Sequence, residues 1–209
     1  MITSKKQRVN GTGPRRRMLN AFSLIGTVPL DVMEDLKNLT SVLPSSTIGG
    51  DNYQIAKHID IESVFNASTD QYRQILLQSY VTDQKSEFDY SVWEPGTDLI
   101  QSFLRKYFKK IYRLRISITQ PNHTIPWHID TDTSVVCRAQ ICIDIGNNQF
   151  NFKTKDGIET LTMTQGNMYF INTGWSHQVI NFDKTRLVAI FAFKFEDLLF
   201  PDLVLKTVS

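Results

Sequence analysis

The sequence contains no apolar stretch that approaches the roughly 18 consecutive residues of a membrane-spanning helix. Its longest apolar run near the end, Leu187 to Phe193, has the length of a strand. A positively charged segment followed by an apolar core and a small-residue cleavage site is also missing at the start, which argues against secretion. We therefore expect a cytoplasmic protein with no part embedded in a membrane.

Cysteine is scarce. The chain has two, Cys137 and Cys142, on what the pattern indicates is a single strand. Because the residues of a strand point alternately to opposite faces, these two side chains should lie on opposite faces of a sheet. This spacing argues against a disulfide between them and predicts two reduced thiols in the core.

Acidic residues are absent from the first 17 positions, although six basic residues occur there. These are Lys5, Lys6, Arg8, Arg15, Arg16 and Arg17. The whole chain has 23 basic and 21 acidic residues, so the remainder is mildly acidic. A nucleic-acid-binding tail is one interpretation, and a solvated terminus is the simpler one. We expect a flexible basic tail at residues 1–17 and one domain at residues 18–209.

The first half of that domain is expected to be a helical and irregular support, residues 18–110. Apolar residues recur three and four positions apart from Pro29 to Leu43, which predicts a helix. A second helix is predicted to begin at Thr97 or Asp98 and to run to Lys110. Most of residues 44–100 mixes short apolar patches with Pro, Gly and Ser, and predicts little.

From Ile111 onward, apolar and polar residues alternate up to Thr119, which predicts a strand. Turn residues separate further strand candidates, and Asp156-Gly157 is a hairpin signal. The candidates are Val135 to Ile145, Gln149 to Thr154, Asn167 to Asn172, His177 to Asn181 and Arg186 to Phe195. Many short strands without long helices between them predict an antiparallel sandwich or barrel, with its core at residues 111–195.

Two potential metal ligands, His128 and Asp130, are two residues apart on a predicted strand, so both should project to one face. His177 begins another predicted strand and is the natural third ligand. Two imidazoles and one carboxylate form the facial triad of non-haem Fe(II) oxygenases, with open positions opposite the protein ligands. The pair alone is a weak signal, because His-X-Asp occurs by chance in many proteins.

Two arginines on predicted strands strengthen that hypothesis. Arg186 lies at the head of an otherwise apolar strand, where it could bind a carboxylate, or reach solvent and pair with Asp183. On the strand Val135 to Ile145, Arg138 and Gln140 share one face, and the opposite face is apolar. A charged side chain that points into a barrel favours a ligand-binding role.

The run from Arg115 to Phe193 resembles the aspartyl/asparaginyl β-hydroxylase-like branch of the Fe(II)- and 2-oxoglutarate-dependent oxygenases. The matching motifs are His128-Ile-Asp130-Thr-Asp132, Arg138-Ala-Gln140, His177-Gln-Val-Ile-Asn181 and Arg186. The resemblance implies a mainly β fold with N-terminal helices, namely a double-stranded β-helix, also called a jelly roll or cupin-like barrel. It also implies Fe(II) as cofactor, and 2-oxoglutarate and dioxygen as cosubstrates.

Within that resemblance, Arg186 looks like the residue that pairs with the distal carboxylate of 2-oxoglutarate. Four further residues are expected nearby: Arg138, Ser117, Thr119 and Gln140. The founding animal enzymes have Gly where this chain has Asp130, so it looks more like the bacterial and phage relatives; a phage protein would act in the host cytoplasm. A retained carboxylate also argues against a halogenase, which vacates this position for chloride.

The expected activity is hydroxylation of an amino-acid side chain, with 2-oxoglutarate and a peptide or amino acid as partners. A free-amino-acid hydroxylase of the cis-proline type shows the same pattern, and a non-enzymatic jelly-roll binding module is the alternative from another class. A nucleic-acid demethylase is a further alternative, suggested by a basic stretch comprising Arg105, Lys106, Lys109, Lys110, Arg113 and Arg115. Against it, the DNA-repair branch has a second Arg six residues after the first, where this chain has Ala192.

Five other residues invite competing assignments. His123 could support a metal ligand or lie in a turn, and Asp132 could replace Asp130 as ligand. His58 belongs to another His-X-Asp pattern, but no strand context or following Arg accompanies it. Trp127 and Trp175 could line the substrate pocket or simply pack.

Overall fold

A computed structural model of the chain describes residues 18–43, 46–47, 72–80, 87–130, 133 and 135–206. The expected basic tail at residues 1–17, His58 and Asp132 lie outside these residues. No helix in the described ranges is long and apolar enough to cross a membrane.

Within the described ranges the chain is built mainly from strands. The strands are β1 Phe22–Thr27, β2 Ser46–Thr47, β3 Tyr72–Leu76, β4 Gln78–Tyr80, β5 Tyr90–Trp93, β6 Tyr112–Thr119, β7 His123–His128, β8 Cys137–Asp144, β9 Asn148–Thr154, β10 Gly157–Leu161, β11 Asn167–Ile171, β12 Ser176–Asn181 and β13 Arg186–Phe193. The α-helices are α1 Leu30–Val42 and α2 Asp98–Leu104, and 3-10 helices form at Glu87–Asp89, Phe195–Asp197 and Pro201–Leu203.

Two antiparallel sheets form the barrel. The major sheet has the order β1-β11-β8-β13-β6-β3-β2, the minor sheet has the order β10-β9-β12-β7, and β4 and β5 form a separate hairpin. Neighbours such as β8 and β13 are far apart in the chain, so the strands alternate between the two sheets as in a jelly roll. The predicted mainly β, cupin-like fold is confirmed.

The period-two pattern divides the major sheet into two faces. Its outer face carries Ile116, Ala139 and Phe191, which pack with α1 and α2 in one buried cluster. Its inner face carries Cys142 and Val188, which pack against the minor sheet in a second cluster. The sheet is therefore buried on both sides, and its inner face lines the barrel.

The two cysteines follow this division. Cys137 belongs to the outer cluster and Cys142 to the inner one. Both are buried free thiols, as the spacing predicts. Burial raises the pKa of the Cys142 thiol to about 12, although the nearby Arg186 acts in the opposite direction. This thiol therefore stays protonated at neutral pH.

The predicted strands of the barrel core begin and end within about two residues of the observed ones, and Gly157 has the positive φ of 121° that its hairpin requires. The first half of the domain differs from the expected helical and irregular support, because β1 and β3 pair with β11 and β6 of the major sheet. Those pairings join segments far apart in the chain, which a local pattern does not reveal.

The second predicted helix is shorter than expected. It ends at Leu104 instead of Lys110. Phe108 forms a bridge with Leu198, and the backbone N–H of Lys109 donates to the carbonyl of Asp197 at 2.7 Å. These tertiary hydrogen bonds replace the last helical turn.

Candidate metal centre and anion pocket

The two predicted histidine ligands meet on neighbouring strands of the minor sheet. His128, the last residue of β7, is the register partner of His177 on β12. Their ring centroids are 4.1 Å apart. Between this pair and the next one, Ile125 with Val179, β7 has one extra residue, which is a β-bulge. The bulge turns His128 to the inner face although it lies an odd number of residues from Ile125.

Backbone carbonyls fix both imidazole rings. The His128 Nδ1 lies 2.7 Å from the carbonyl oxygen of Pro126, and the His177 Nδ1 lies 3.0 Å from that of Trp175. A carbonyl can only accept, so each Nδ1 carries a proton, and in the neutral ring the lone pair is on Nε2. This is how metal-binding histidines are usually oriented.

The third predicted ligand, Asp130, lies beyond the end of β7, so the expected strand at this position is too long by two residues. Its backbone N–H instead donates to the carbonyl of Thr173 at 3.1 Å. Its Oδ1 lies 3.6 Å from the His128 Nε2. The carboxylate therefore reaches the histidines from a loop that is tied to the segment preceding β12.

Electrostatics favours the protonation states that bind a cation. Burial lowers the pKa of His177 to about 4, and the neighbouring His128 acts in the same direction. Burial opposes ionisation of Asp130, but His128, His177, Arg138 and Arg115 outweigh it and hold the pKa of this carboxyl below its usual value. At neutral pH the site offers a neutral imidazole at His177 and a carboxylate.

These three residues fit a metal ion. One ligand atom from each of His128, Asp130 and His177 lies within 4.8 Å of the others. In a facial triad the ligands are mutually cis, so two ligand atoms that are each about 2.1 Å from the metal lie about 3 Å apart, and side-chain movements of about 1–2 Å complete the site. The donor set of two imidazoles and a carboxylate is that of a facial triad.

A buried cation lies on the opposite sheet. Arg186, at the start of β13, is only 2% exposed. Its Nη2 donates to the Gln140 Oε1 at 2.9 Å and contacts the Met163 Sδ at 3.3 Å. Thr119 is its register partner on β6, and Ser117 follows two residues away on the same face.

Two buried hydroxyl groups, those of Ser117 and Thr119, lie in this pocket. Ser117 and Thr119 are completely buried, and among the described residues neither Oγ nor Oγ1 has a hydrogen-bond partner. A buried hydroxyl without a partner is costly, by about 1–3 kcal/mol. The pocket around Arg186 therefore has hydroxyl donors available for an anion.

Strand β8 connects the two halves of the site. Gln140 contacts Arg186, and Arg138 lies two residues before it on the same face, about 6.8 Å along the strand. The Arg138 Nε lies 3.6 Å from the Asp130 Oδ2. Seven of the eight predicted site residues thus face one barrel interior, and Asp130 reaches it from the loop after β7. The metal ligands lie nearest Arg138, and Arg186 lies nearest Gln140.

The alternative assignments separate in the structure. His123 lies on β7 opposite Asn181 and is not part of the metal-binding group. Trp127 is half-buried beneath Lys153, whose Nζ is 4.3 Å from the ring centroid. Trp175 is buried in the inner cluster, and its carbonyl orients His177.

Two features escaped the sequence analysis. Phe150 and Phe152 stack at 4.8 Å and flank the ring of His177. Arg115, the last residue of the basic stretch that suggested a demethylase, is buried inside the barrel and only 7% exposed. Its alternation with Ser117 and Thr119 on β6 was a usable signal, because those residues were already expected to face the pocket.

Comparison with known families agrees with this geometry. The profile of the family described as aspartyl/asparaginyl beta-hydroxylase matches residues 74–195, which is more than half of the chain. No curated protein matches the sequence significantly.

Solved structures of low sequence identity share the fold. An oxidoreductase of the 2OG-Fe(II) oxygenase family from Burkholderia pseudomallei has 11% identity and a TM-score of 0.60, with 90% of each chain covered. A prolyl hydroxylase from Trichoplax adhaerens, in complex with a hypoxia inducible factor peptide fragment, has 11% identity and a TM-score of 0.56 over 94% of this chain and 96% of that one. HygX from Streptomyces hygroscopicus, with nickel and 2-oxoglutarate bound, has 8% identity and a TM-score of 0.52 over 82% of each chain.

Proposed function

We propose, on the premise that this chain belongs to the aspartyl/asparaginyl β-hydroxylase family, that it hydroxylates an aspartyl or asparaginyl side chain of a peptide. As a member of that family it is a 2-oxoglutarate-dependent hydroxylase that uses Fe(II) and dioxygen. The observation that carries the residue assignment is the convergence of His128, Asp130 and His177 within 4.8 Å, in the same interior as the buried Arg186.

In this proposal His128, Asp130 and His177 hold Fe(II). When bound, the metal supplies the activation of dioxygen that couples conversion of 2-oxoglutarate to succinate and carbon dioxide with hydroxylation of a C–H bond. The two Nδ1 hydrogen bonds to Pro126 and Trp175 keep each imidazole in the tautomer that presents Nε2. His128, Asp130 and His177 would therefore bind the metal from one side and leave the opposite side open to cosubstrate and substrate.

Arg186 is proposed to bind the distal carboxylate of 2-oxoglutarate. A guanidinium offers several N–H donors in one plane, so Arg186 can keep its bond to Gln140 and still donate to a carboxylate. The Ser117 and Thr119 hydroxyls would complete the hydrogen bonds to this anion. Arg138 lies two residues before Gln140 on β8 and is nearer to the metal ligands. It is proposed to contact the other carboxylate of the cosubstrate.

The residues around His177 are proposed to keep water away from the site. Phe150 and Phe152 are buried and stack beside the imidazole. A dry interior strengthens every charged hydrogen bond within it. It would also restrict the reaction to the C–H bond that the bound substrate places near the metal.

The nature of the amino-acid substrate separates this function from its alternatives. A free amino acid of the cis-proline type remains the nearest alternative, because it needs the same cosubstrate pocket. The basic stretch behind the demethylase alternative is divided in the structure. Arg115 is inside the barrel, whereas Lys106 is exposed on the surface. The domain limits, the basic tail and a cytoplasmic location stay predictions.

Oxygen-dependent formation of succinate from 2-oxoglutarate tests the proposal. The full-length protein is loaded anaerobically with Fe(II) and then exposed to air with peptides that contain Asp or Asn, free amino acids or oligonucleotides. We expect the peptides to stimulate succinate formation most and to gain one oxygen atom by mass spectrometry. Stimulation by free amino acids alone would select the alternative, and no succinate with any substrate would favour the non-enzymatic binding module.

A further inference from the structure

The two oxygens of Asp130 face different groups. The Oδ1 lies 3.6 Å from the His128 Nε2, on the side of the proposed metal. The Oδ2 lies 3.6 Å from the Arg138 Nε. The carboxylate is thus placed between a metal ligand and a guanidinium, with one oxygen toward each.

Asp130 needs such a partner because its own position is weakly constrained. It lies after the end of β7, and its side chain is 33% exposed. Arg138, in contrast, is on the central strand β8 and only 7% exposed. A buried arginine on a rigid strand can hold the orientation of a carboxylate on a loop, and such supporting contacts of metal ligands commonly affect metal affinity.

We infer that Arg138 is a positioning residue for Asp130, whose guanidinium holds Oδ2 and leaves Oδ1 as the single oxygen presented to the metal. The inference rests on the proposed metal site and gives Arg138 a role that precedes cosubstrate binding. A guanidinium has five N–H donors, so this role is compatible with a later contact to 2-oxoglutarate.

Arg115 supports the same carboxylate from β6. Strand β6 has a bulge between the register pairs Arg115 with Ile190 and Tyr112 with Ala192. Arg113, within that bulge, has a φ of 51°, and its carbonyl accepts a bond of 3.4 Å from the Arg115 Nη1. The bulge lies before Arg115, which keeps the alternation of Ser117 and Thr119 and therefore points into the barrel, where its positive charge attracts the Asp130 carboxylate.

The direction in which metal affinity changes when Arg138 is removed distinguishes a positioning role from a purely electrostatic one. An arginine near a divalent cation repels it, so removal of the charge alone would tighten metal binding. Loss of an orienting contact would weaken metal binding, typically by about 10–100-fold. Weaker binding after removal of Arg138 therefore requires the orienting role to dominate.

The test is the affinity of the full-length protein for Mn(II) alone, without 2-oxoglutarate, in wild type, Arg138→Met and Arg138→Lys. We expect Arg138→Met to weaken Mn(II) binding by about tenfold or more, with Arg138→Lys between it and wild type. Arg186→Met, which removes another buried arginine of this barrel, should leave the Mn(II) affinity within about threefold. Arg138→Met binding as tight as wild type, or tighter, overturns the inference.

A second comparison asks whether Arg138 acts through Asp130. In an Asp130→Ala background, Arg138→Met should not weaken Mn(II) binding further, because the oriented oxygen is gone. Equal weakening in both backgrounds overturns the inference. If Arg138→Met does not fold, as judged by circular dichroism, Arg138→Lys decides, since it keeps the charge: weaker binding supports orientation and unchanged binding opposes it. Wild-type Mn(II) binding that His177→Ala leaves intact would instead refute the proposed metal site.

Discussion

The minor sheet and the major sheet face the same interior but supply it with different groups. The minor sheet and the loop after β7 bring two imidazoles and a carboxylate to one point, with two stacked phenylalanines beside His177. The major sheet contributes arginines, an amide and two hydroxyls. One sheet is thus suited to a cation and the other to an anion.

This separation makes the two binding functions chemically distinct although they share one cavity. The contacts that join them run through β8, where Gln140 reaches Arg186 and Arg138 reaches Asp130. A cosubstrate with a carboxylate at each end matches such an arrangement. Changes on one sheet should therefore affect metal and cosubstrate binding unequally, which can be measured.

The largest effect is expected from His177→Ala. It removes a metal ligand from the minor sheet, so affinity for divalent metal should fall by more than the roughly 10–100-fold seen for supporting contacts. Succinate formation should be abolished, while circular dichroism shows a folded barrel, because the core is apolar. His123→Ala, on the same sheet but outside the metal-binding group, is the control and should keep wild-type metal affinity. Full activity in His177→Ala would refute the assignment.

Arg186→Leu tests the major sheet. Loss of a charged hydrogen-bond donor is worth about 1.5–3 kcal/mol, so half-saturation with 2-oxoglutarate should require about 10–150 times more cosubstrate. The metal requirement should stay nearly constant, and Arg186→Lys should lie between the two. If metal and cosubstrate requirements rise equally, the two sheets do not divide the work as described.

The pH dependence of stability gives a third comparison. The pKa of His177 is about 4 in the folded protein and about 6.5 in an unfolded chain. Between pH 4 and 6.5 the His177 side chain is therefore protonated in the unfolded chain but neutral in the folded protein. Its contribution to the free energy of unfolding is fully present above about pH 6.5. It should fall by up to about 1.4 kcal/mol per pH unit as the pH drops toward 4.

Urea unfolding of metal-free protein across this range measures that slope. His177→Phe should lack this contribution, and its stability should depend less on pH between 4 and 6.5. Equal slopes in wild type and variant would show that His177 does not carry the effect.

The smallest effect is expected from Thr119→Val, which removes one hydroxyl from the anion pocket. Affinity for 2-oxoglutarate should fall about 3–10-fold, because one hydroxyl donor is lost while Arg186 and Ser117 still bind the anion. The metal-free protein should be as stable as wild type or more so, because the hydroxyl has no partner there among the described residues. Calorimetric titration and a thermal melt measure both quantities, and an unchanged cosubstrate affinity would remove Thr119 from the pocket.

The sequence predicted the barrel, and it placed most of the candidate site residues on one face, because strand alternation is a local property. Once β6, β8 and β13 are located, parity alone assigns Ser117, Gln140 and similar residues to one face. The family resemblance added the metal and the cosubstrates, and the family match confirms that resemblance. The individual roles of the site residues remain predictions for the experiments above.

Features that depend on distant pairing could not be predicted. The second helix ends at Leu104 because the following residues pair with the segment around Leu198. His128 faces the interior because of a bulge in β7, and no residue type in the sequence indicates that bulge. Asp130 lies beyond the end of β7 because its backbone N–H donates to the carbonyl of Thr173 instead of to a neighbouring strand.

The pairing of His128 with His177 also has a consequence for folding. These residues are distant in sequence and meet only when β7 and β12 have found their register, an event of high contact order that closes a long loop. The denatured chain therefore offers no preassembled chelate. Added metal should accordingly slow unfolding and raise the melting temperature with its concentration, since it binds almost exclusively to the completed barrel.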